Sequence, residues 1–575
     1  MKKLAIKIYI LLVCLSLPSF NYSYAQSYFP MNGWQFHEYD IPKLEEAIQK
    51  APSYGVNFFI FSHRLFRLVE GFLVSDENLD PDKKYPHLSK LYSASEDHTK
   101  PHPGWQKDLK YIASLAEKQN IPYYLWVHEF DDIPSRFLID GDVNFDHPEL
   151  FSYIKQRYEK LLNILPNSAG FVLTFHESNY KLFRNSEVKS KHDVPERIYL
   201  LTKLIYDVAK AHNKKLILRS FFYEPKEMEY FKSALSKLPD DLIVMSKTTF
   251  HEFDPFYPPD SMHGNVGGKN QIIEIDLGVE KALSTDGAYA QLEYIRRFVI
   301  RAKDLRLAGM VGRARLLWDK PFEDSHEINL YAFSRFMENP DLSVEKVALD
   351  WATKSFNNDS APHIASALLR TQFINHHGRY HLGFWLTKSI GSSWNNYKYY
   401  FGHLMQRSIY KWTNNPVDKE LENKLYHPDI ETYNKLIAEK DEVINQVKAS
   451  ISDLKFARRY VLNNQIEPIV KQFELLLDAA KLSREWTRAY FAQRLYMDNP
   501  TSEYKMWVEN SLAELNKMDS LPGVYYGLNK QTGHRYNIDK FINEMNWRIE
   551  NRSRAIDDDK SILKSVKDKL NVELN

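Results

Sequence analysis

Residues 242–276 read LIVMSKTTFHEFDPFYPPDSMHGNVGGKNQIIEID. Two apolar runs, Leu242-Ile243-Val244-Met245 and Gln271-Ile272-Ile273-Glu274-Ile275, flank a segment rich in Pro, Gly, His and aromatic residues. That pattern predicts strand, long loop, strand. Charge sits where the runs end: Lys247 and Glu252 follow the first, and Glu274 lies inside the second. A carboxylate in a β-branched run has mostly buried neighbours, and an unpaired buried charge is costly, so Glu274 needs a partner or a role. One reading is architectural, an ion pair of Lys247 with Glu274. The other is an active site at the carboxyl ends of barrel strands, and the flanking sequence decides between them.

Outward from this stretch, apolar β-type runs alternate with amphipathic helical stretches from residue 33 to about 316. The runs are Gly33–His37, Asn57–Ser62, Pro122–His128, Gly170–His176, Leu216–Phe221, Leu242–Ser246, Gln271–Asp276 and Ala308–Gly312. Helix-like stretches between them include Pro42–Tyr54, Trp105–Gln119, Pro148–Leu162, Pro195–Ala211 and Tyr289–Leu305. Eight strands with intervening helices predict a (β/α)8 TIM barrel. The strand ends are polar: Trp126, His128, Glu129, Asp131 and Asp132 after the third, His176-Glu177 after the fourth, Arg219 through Tyr223-Glu224 on the fifth, and Lys247, His251, Glu252 and Glu274 on the sixth and seventh. In this architecture the site forms at the C-terminal face, so polar residues gathered there point to an enzyme.

After residue 325 the strand pattern gives way to three-to-four spacing, over Glu327–Phe336, Ser343–Ser355, Ala361–Ile374, Pro428–Lys455, Phe456–Tyr496, Ser502–Met518 and Ile538–Ile556. The expected organisation is a leader at 1–25, a barrel at 26–325 and an all-helical C-terminal domain at 326–575. Ser343 after Asn339-Pro340 reads as an N-cap. Asn375 through Trp385 is too polar and Gly-broken for a plain helix, and is expected to reach over the barrel mouth. Asp557-Asp558-Asp559-Lys560 reads as solvated helix surface.

A chain of 575 residues with net charge +1 lacks the basic excess that nucleic acid or an anionic membrane surface selects. Lys2, Lys3 and Lys7 ahead of the apolar run Ile8–Leu17, then Ser23-Tyr24-Ala25 before Gln26, predict a cleavable secretory signal with no membrane span, hence a periplasmic or secreted protein. The one cysteine, Cys14, falls inside that signal and lacks the small residue before it that lipid attachment requires. A mature chain without cysteine excludes disulfides, thiolate catalysis and Cys-ligated metal. His128, His176 and His251 lack metal-motif spacing, so neither metal nor cofactor is expected.

Glycoside cleavage needs a protonated carboxyl for the leaving oxygen and, for inversion, a carboxylate that activates water. Glu177, just past an apolar strand, suits the acid; against this stands a salt bridge to Lys181. Glu252 and Glu274, from adjacent strands, suit the water-activating side, where one of two neighbouring carboxyls is pushed up. Arg219 and Lys247 either pair with those carboxylates or hold a substrate anion. His128, Trp126, Tyr223 and His251 complete the candidate substrate-binding set.

Several segments resemble the family 67 glycoside hydrolases, the α-glucuronidases, in order from about residue 33 to at least 385. LILRSFFY is similar to the family's W-R-A-F-V-Y, IVMSKTTFHEFDPFYPP to V-Q-V-K-N-G-P-I-D-F-Q-P-R-E-P, and QIIEIDLGVE to M-L-E-F-Q-I-T-Q-E. Asn329-Leu330-Tyr331-Ala332-Phe333 through Asn339-Pro340-Asp341-Leu342-Ser343 resembles N-L-Y-A-F-G-R-L-A-W-N-P-D-L-S. The resemblance implies an acidic-sugar site, with Glu177 at the general acid, Glu252 and Glu274 at the water-activating pair, and Arg219 and Lys247 near the uronate. The chain departs from the family in having Glu252 for Asp, Thr174 near the place of a uronate-contacting Lys, and a barrel that begins without the family's N-terminal domain.

The expected activity is inverting removal of a terminal uronic acid from an oligosaccharide. Two alternatives stay open. One is a dehydratase or lyase that eliminates water from a non-reducing-end uronic acid, as in ulvan-type oligosaccharides, with His128, His251 or Tyr223 as base. The other is a non-catalytic sugar-binding protein. The sequence leaves linkage and oligomeric state open.

Overall fold

The computed structural model describes residues 27–37, 40–62, 105–130, 133–176, 178–250, 252–316, 320–386, 397–461, 465–518 and 533–574. The expected leader with Cys14, and the candidates Glu177, His251, Asp131 and Asp132, lie outside these residues.

The alternating runs form eight parallel strands: β1 Met31–Phe36, β2 Phe58–Phe61, β3 Tyr123–His128, β4 Gly170–Thr174, β5 Lys215–Ser220, β6 Ile243–Lys247, β7 Asn270–Asp276 and β8 Gly309–Ala314. They pair in chain order, and β8 closes onto β1 with Trp34 opposite Gly312. Side chains alternate along a strand, so every second residue enters the barrel. Phe58, Ile60, Tyr124, Trp126, Val172, Ile217, Ile243, Met245, Ile272 and Val311 form the interior plug. Gly33 belongs to the same parity, because a Cβ there would lie 2.3 Å from Phe58 Cζ. The opposite parity packs under the surrounding helices in the larger core.

The ring helices are α1 Ile41–Lys50, α2 Trp105–Lys118, α3 Leu150–Ile164, α4 Val194–Ala211, α5 Pro225–Leu235, α6 Leu292–Asp304 and α7 Glu327–Glu338. The connection from β6 to β7 is the long loop that residues 248–269 predict, with no helix among its described residues. Helix α5 was outside the helix-like stretches read from sequence. Its start is local chemistry, Pro225 at the first turn and Glu227 accepting the Glu224 backbone N–H at 3.0 Å. Helix α7 is tied back to the barrel's first turn by Tyr54 Oη donating to Glu327 Oε1 at 2.6 Å.

Helices follow to the end of the described chain: α8 Val344–Ser355, α9 Ala361–Arg379, α10 Tyr397–Gln406, α11 Tyr410–Thr413, α12 Pro416–Tyr426, α13 Ile430–Ala457, α14 Glu467–Asp498, α15 Ser502–Lys517, α16 Gly533–Glu550 and α17 Arg552–Leu574. Ser343 caps α8, its Oγ accepting from Lys346 N at 3.2 Å. None of the described helices is long and apolar enough to cross a membrane.

Three local expectations are corrected here. Helix α9 does not break at Asn375 but runs to Arg379. Asn375 is polar because it serves the loop after β7, accepting from Leu283 N at 2.8 Å and donating to Ala288 O at 2.9 Å. Gly378 lets that loop approach, since a Cβ there would meet Leu283 Cδ2 at 2.5 Å. The stretch 456–496 is not one helix; α13 ends at Ala457, and Pro468, which no helix interior accommodates cheaply, opens α14. Asp559 is not solvated: it is buried and accepts from both Arg494 and Arg548, which α14 and α16 bring together.

Candidate active site

The plug ends abruptly in polar side chains of the same inward parity. Two residues beyond Gly33, Trp126, Val172, Ile217, Met245, Ile272 and Val311 stand Gln35, His128, Thr174, Arg219, Lys247, Glu274 and Arg313. All of them are buried. Because all strands run parallel, this polar tier lies at the C-terminal face, with apolar packing beneath it and loops above.

At its centre Arg219 and Glu274 pair side by side: Nε donates to Oε2 at 2.6 Å and Nη2 to Oε1 at 3.1 Å. Gln35 Nε2 donates to the same Oε1 at 3.3 Å and lies 3.0 Å from His37 Nε2. The guanidinium rests over the Trp126 ring at 4.6 Å. Burial raises the Glu274 carboxyl, but the charges of Arg219 and Lys247 outweigh it and hold the group below its ordinary value. Glu274 is thus a fixed, ionised carboxylate. Strand register places Lys247 opposite Glu274, yet its ammonium lies over Phe221 at 3.6 Å and 3.7 Å from Glu252. Lys247–Glu274 is thus not the architectural pair; Arg219 pairs with Glu274 and Lys247 lies by Glu252, the carboxylate-pairing alternative of the sequence reading rather than a free anion site at Arg219.

Above this tier the loops after β6 and β7 bring a second carboxyl pair together. Glu252 adopts φ +67°, a left-handed backbone that costs a residue with a Cβ about 1–2 kcal/mol. Thr249 N and Thr248 Oγ1 both donate to Glu252 O at 3.2 Å and hold that turn. The Glu252 carboxyl hydrogen-bonds Glu280. Burial pushes Glu252 above the usual carboxylate range; Lys247 and Lys281 oppose this, and Glu280 adds to it. Glu280 is held well below that range, because Arg313 and Lys281 overcome the effect of its burial. Of the two, Glu252 is therefore the one that takes up a proton first as pH falls. The expectation of two neighbouring carboxyls with one pushed up holds its chemistry, but the partner is Glu280 and not Glu274.

Arg313 donates to Asp276 at 3.0 Å and also bonds Glu280. Lys281 sits 3.2 Å from Glu280, 3.5 Å from Glu252 and 3.7 Å from Asp254. The segment beyond α9 covers this face as read from sequence. Tyr380 Oη donates to Asp254, and Arg379 donates to the backbone oxygens of Glu280 and Ala282. The Trp385 ring lies under three cations, Lys281 at 4.3 Å, Arg407 at 5.1 Å and Arg379 at 5.4 Å. Lys411 reaches Glu224 at 2.5 Å. Among the described residues, Glu252, Glu280, Arg315 and Lys411 keep 18–21% of their side chains open to solvent.

The other sequence candidates divide. His128 packs on Trp126 at 4.8 Å, inside the barrel. Tyr223 lies against His176 at 5.2 Å, and its backbone N–H donates to Glu227 at 2.7 Å. Glu227, 3.6 Å from His176, is pushed by burial up to about 7. Glu129 points away from the mouth: Arg157 donates to it at 2.7 Å and Tyr158 at 2.6 Å, a buried architectural cluster. Among the described residues no group of three His, Cys, Asp or Glu is arranged to hold a metal ion. Sequence reading passed over Glu280, Lys281 and Arg313. Glu280 closes the quoted QIIEIDLGVE motif, while ending the eighth strand at Gly312 left Arg313 one residue outside.

No family model and no curated protein matches the chain. Among solved structures it is similar to a GH138 enzyme targeting pectin rhamnogalacturonan II, at 12% identity and TM-score 0.60 over 91% of this chain and 67% of that one. It is also similar to the GH89 enzyme of Clostridium perfringens in complex with its substrate GlcNAc-α-1,4-galactose, at 11% identity and TM-score 0.53 over 91% of this chain and 64% of that one. At such identities the likeness is one of fold, a barrel of the glycoside hydrolase type continued by helices; neither of the two is a family 67 enzyme.

Proposed function

We propose that the protein is a secreted glycoside hydrolase that removes a terminal uronic acid from an oligosaccharide with inversion. The observation that carries this reading is a pair of carboxyls, Glu252 and Glu280, gathered around Lys281 at 3.5 and 3.2 Å, at a barrel mouth where, among the described residues, cations outnumber carboxylates. Glu252, Asp254, Glu274, Asp276 and Glu280 face Arg219, Lys247, Lys281, Arg313, Arg315, Arg379 and Arg407. That surplus favours an anionic sugar over a neutral one.

In this reading Glu177 gives its proton to the leaving oxygen as the anomeric carbon–oxygen bond breaks. Glu252, once deprotonated, takes a proton from the water whose oxygen bonds to that carbon. Glu274, kept ionised by Arg219, supplies fixed negative charge against the oxocarbenium character of the transition state. Lys247 and the cations around Trp385 offset the substrate carboxylate, and Tyr223 is the candidate sugar contact; Trp126, buried beneath Arg219, supports the floor under it. The structural neighbours support a glycosidase in general; the uronide specificity rests on the charge at the mouth.

Incubation with a panel of uronic-acid oligosaccharides and mass spectrometry of the products tests this. Release of free uronic acid with gain of one water is expected, and Glu252→Gln should lower the rate by about 10²–10⁴. Loss of water with an ultraviolet-absorbing product would replace hydrolysis by elimination. Unchanged turnover in Glu252→Gln would remove the proposed base.

A further inference from the structure

Lys281 has no part in the reading of the sequence, yet three carboxyl groups of the mouth share it. Its side chain is buried, 3% exposed, and its ammonium contacts three carboxyl groups from two loops: Glu280 at 3.2 Å, Glu252 at 3.5 Å and Asp254 at 3.7 Å. Its fourth side is the Trp385 ring at 4.3 Å. Asp254 is in turn held by the Tyr380 hydroxyl. Tyr380 and Trp385 belong to the segment after α9, and the buried ammonium of Lys440 on α13 fixes that segment by donating to the backbone oxygens of His377 and Tyr380.

We infer that Lys281 is a positioning residue that sets where and when Glu252 gives up its proton, and that the helical part of the chain acts on catalysis by fixing Lys281. The inference rests on the proposed role of Glu252 as base. An ammonium within 3.5 Å of both carboxyls of one pair favours the state with negative charge on that pair. It also ties the strained turn at Glu252 to the loop after β7. Asp254 competes for the same ammonium, so the Tyr380 hydroxyl, by taking part of that carboxylate's charge, leaves more of Lys281 for Glu252. The indole face stabilises the cation while offering it no competing acceptor. A lysine buried without these neighbours would tend to lose its proton; the three carboxylates keep its affinity for it above the ordinary value.

The other charged groups near Glu252 are Lys247, Glu280, Arg313 and Arg407, and near Lys281 Arg379. Lys247 and Arg313 belong to the polar tier of the mouth, and Arg407 to its cover beside Trp385.

The test is the pH profile of kcat/KM on a uronide for Lys281→Met, Lys281→Arg and Tyr380→Phe in the full chain. Lys281→Met removes a charge that favours ionised Glu252, so the acid limb should move up by about one pH unit, a roughly tenfold loss below the limb and little change above it. Lys281→Arg should restore the limb, and Tyr380→Phe should shift it in the same direction as Lys281→Met by less. An unmoved limb in Lys281→Met, or an equal loss at every pH that arginine does not rescue, overturns the inference. Carboxyl titration of Glu252 by infrared or carbon-13 spectroscopy, assigned with Glu252→Gln, gives the same readout without turnover. It separates failure of this inference from absence of uronide hydrolysis, and should Lys281→Met not fold, Tyr380→Phe measured this way decides the matter.

Discussion

Removing the Arg219 guanidinium tests the physical reading of the barrel's polar tier. Arg219→Met leaves Glu274, whose side chain is fully buried, without both charge-assisted hydrogen bonds, at 2.6 and 3.1 Å. Breaking a buried pair from one side costs about 3–5 kcal/mol. Gln35 at 3.3 Å and the charge of Lys247 remain to Glu274, which places the expected loss near the lower end, about 3 kcal/mol. The double variant Arg219→Met/Glu274→Leu removes both charges and should recover to within about 1 kcal/mol of the parent, because two apolar side chains continue the plug beneath them. The assay is urea unfolding followed by tryptophan fluorescence, to which Trp126 reports directly from beneath the guanidinium.

The pH dependence of that loss has a definite sign. In the parent the Glu274 carboxyl lies below its unfolded value, so its stabilisation is present above the unfolded pKa and is lost as pH falls through the depressed folded one. In Arg219→Met, burial dominates and the folded value rises above the unfolded one, so the variant's deficit is full at neutral pH and shrinks towards pH of about 4. A single variant within about 0.5 kcal/mol of the parent, or a double variant no better than the single, refutes the reasoning.

Glu280→Gln removes the negative neighbour that raises Glu252 and releases Arg313 and Lys281 towards it, so the acid limb of kcat/KM should move to lower pH, opposite to Lys281→Met. Arg157→Met strands the buried Glu129 and should cost about 3–5 kcal/mol in unfolding experiments while leaving kcat near the parent's, since this cluster faces α3 and not the mouth. Gly33→Ala puts a methyl group into the Phe58 ring at the barrel floor, where Phe58 is itself buried; thermal unfolding should show a loss of about 1–3 kcal/mol without a change in KM.

The amino-acid sequence by itself determined the barrel. The short apolar runs such as Ile243–Lys247 and Gln271–Asp276, and the change to three-to-four spacing after residue 325, follow from local geometry that each segment carries alone. It also placed charge at the strand ends, because an ionisable group inside a β-branched run is conspicuous wherever that run lies. The tertiary structure alone decided the partners. Arg219 finds Glu274 across β6, 55 residues away, because parallel register aligns their inward side chains. Glu252 meets Glu280 because a left-handed turn aims it there, and Lys281 is pinned by Tyr380 and Trp385 from beyond the barrel. Such pairings depend on through-space distance in a low-dielectric interior, where an ångström changes which charge dominates, and spacing along the chain does not record it.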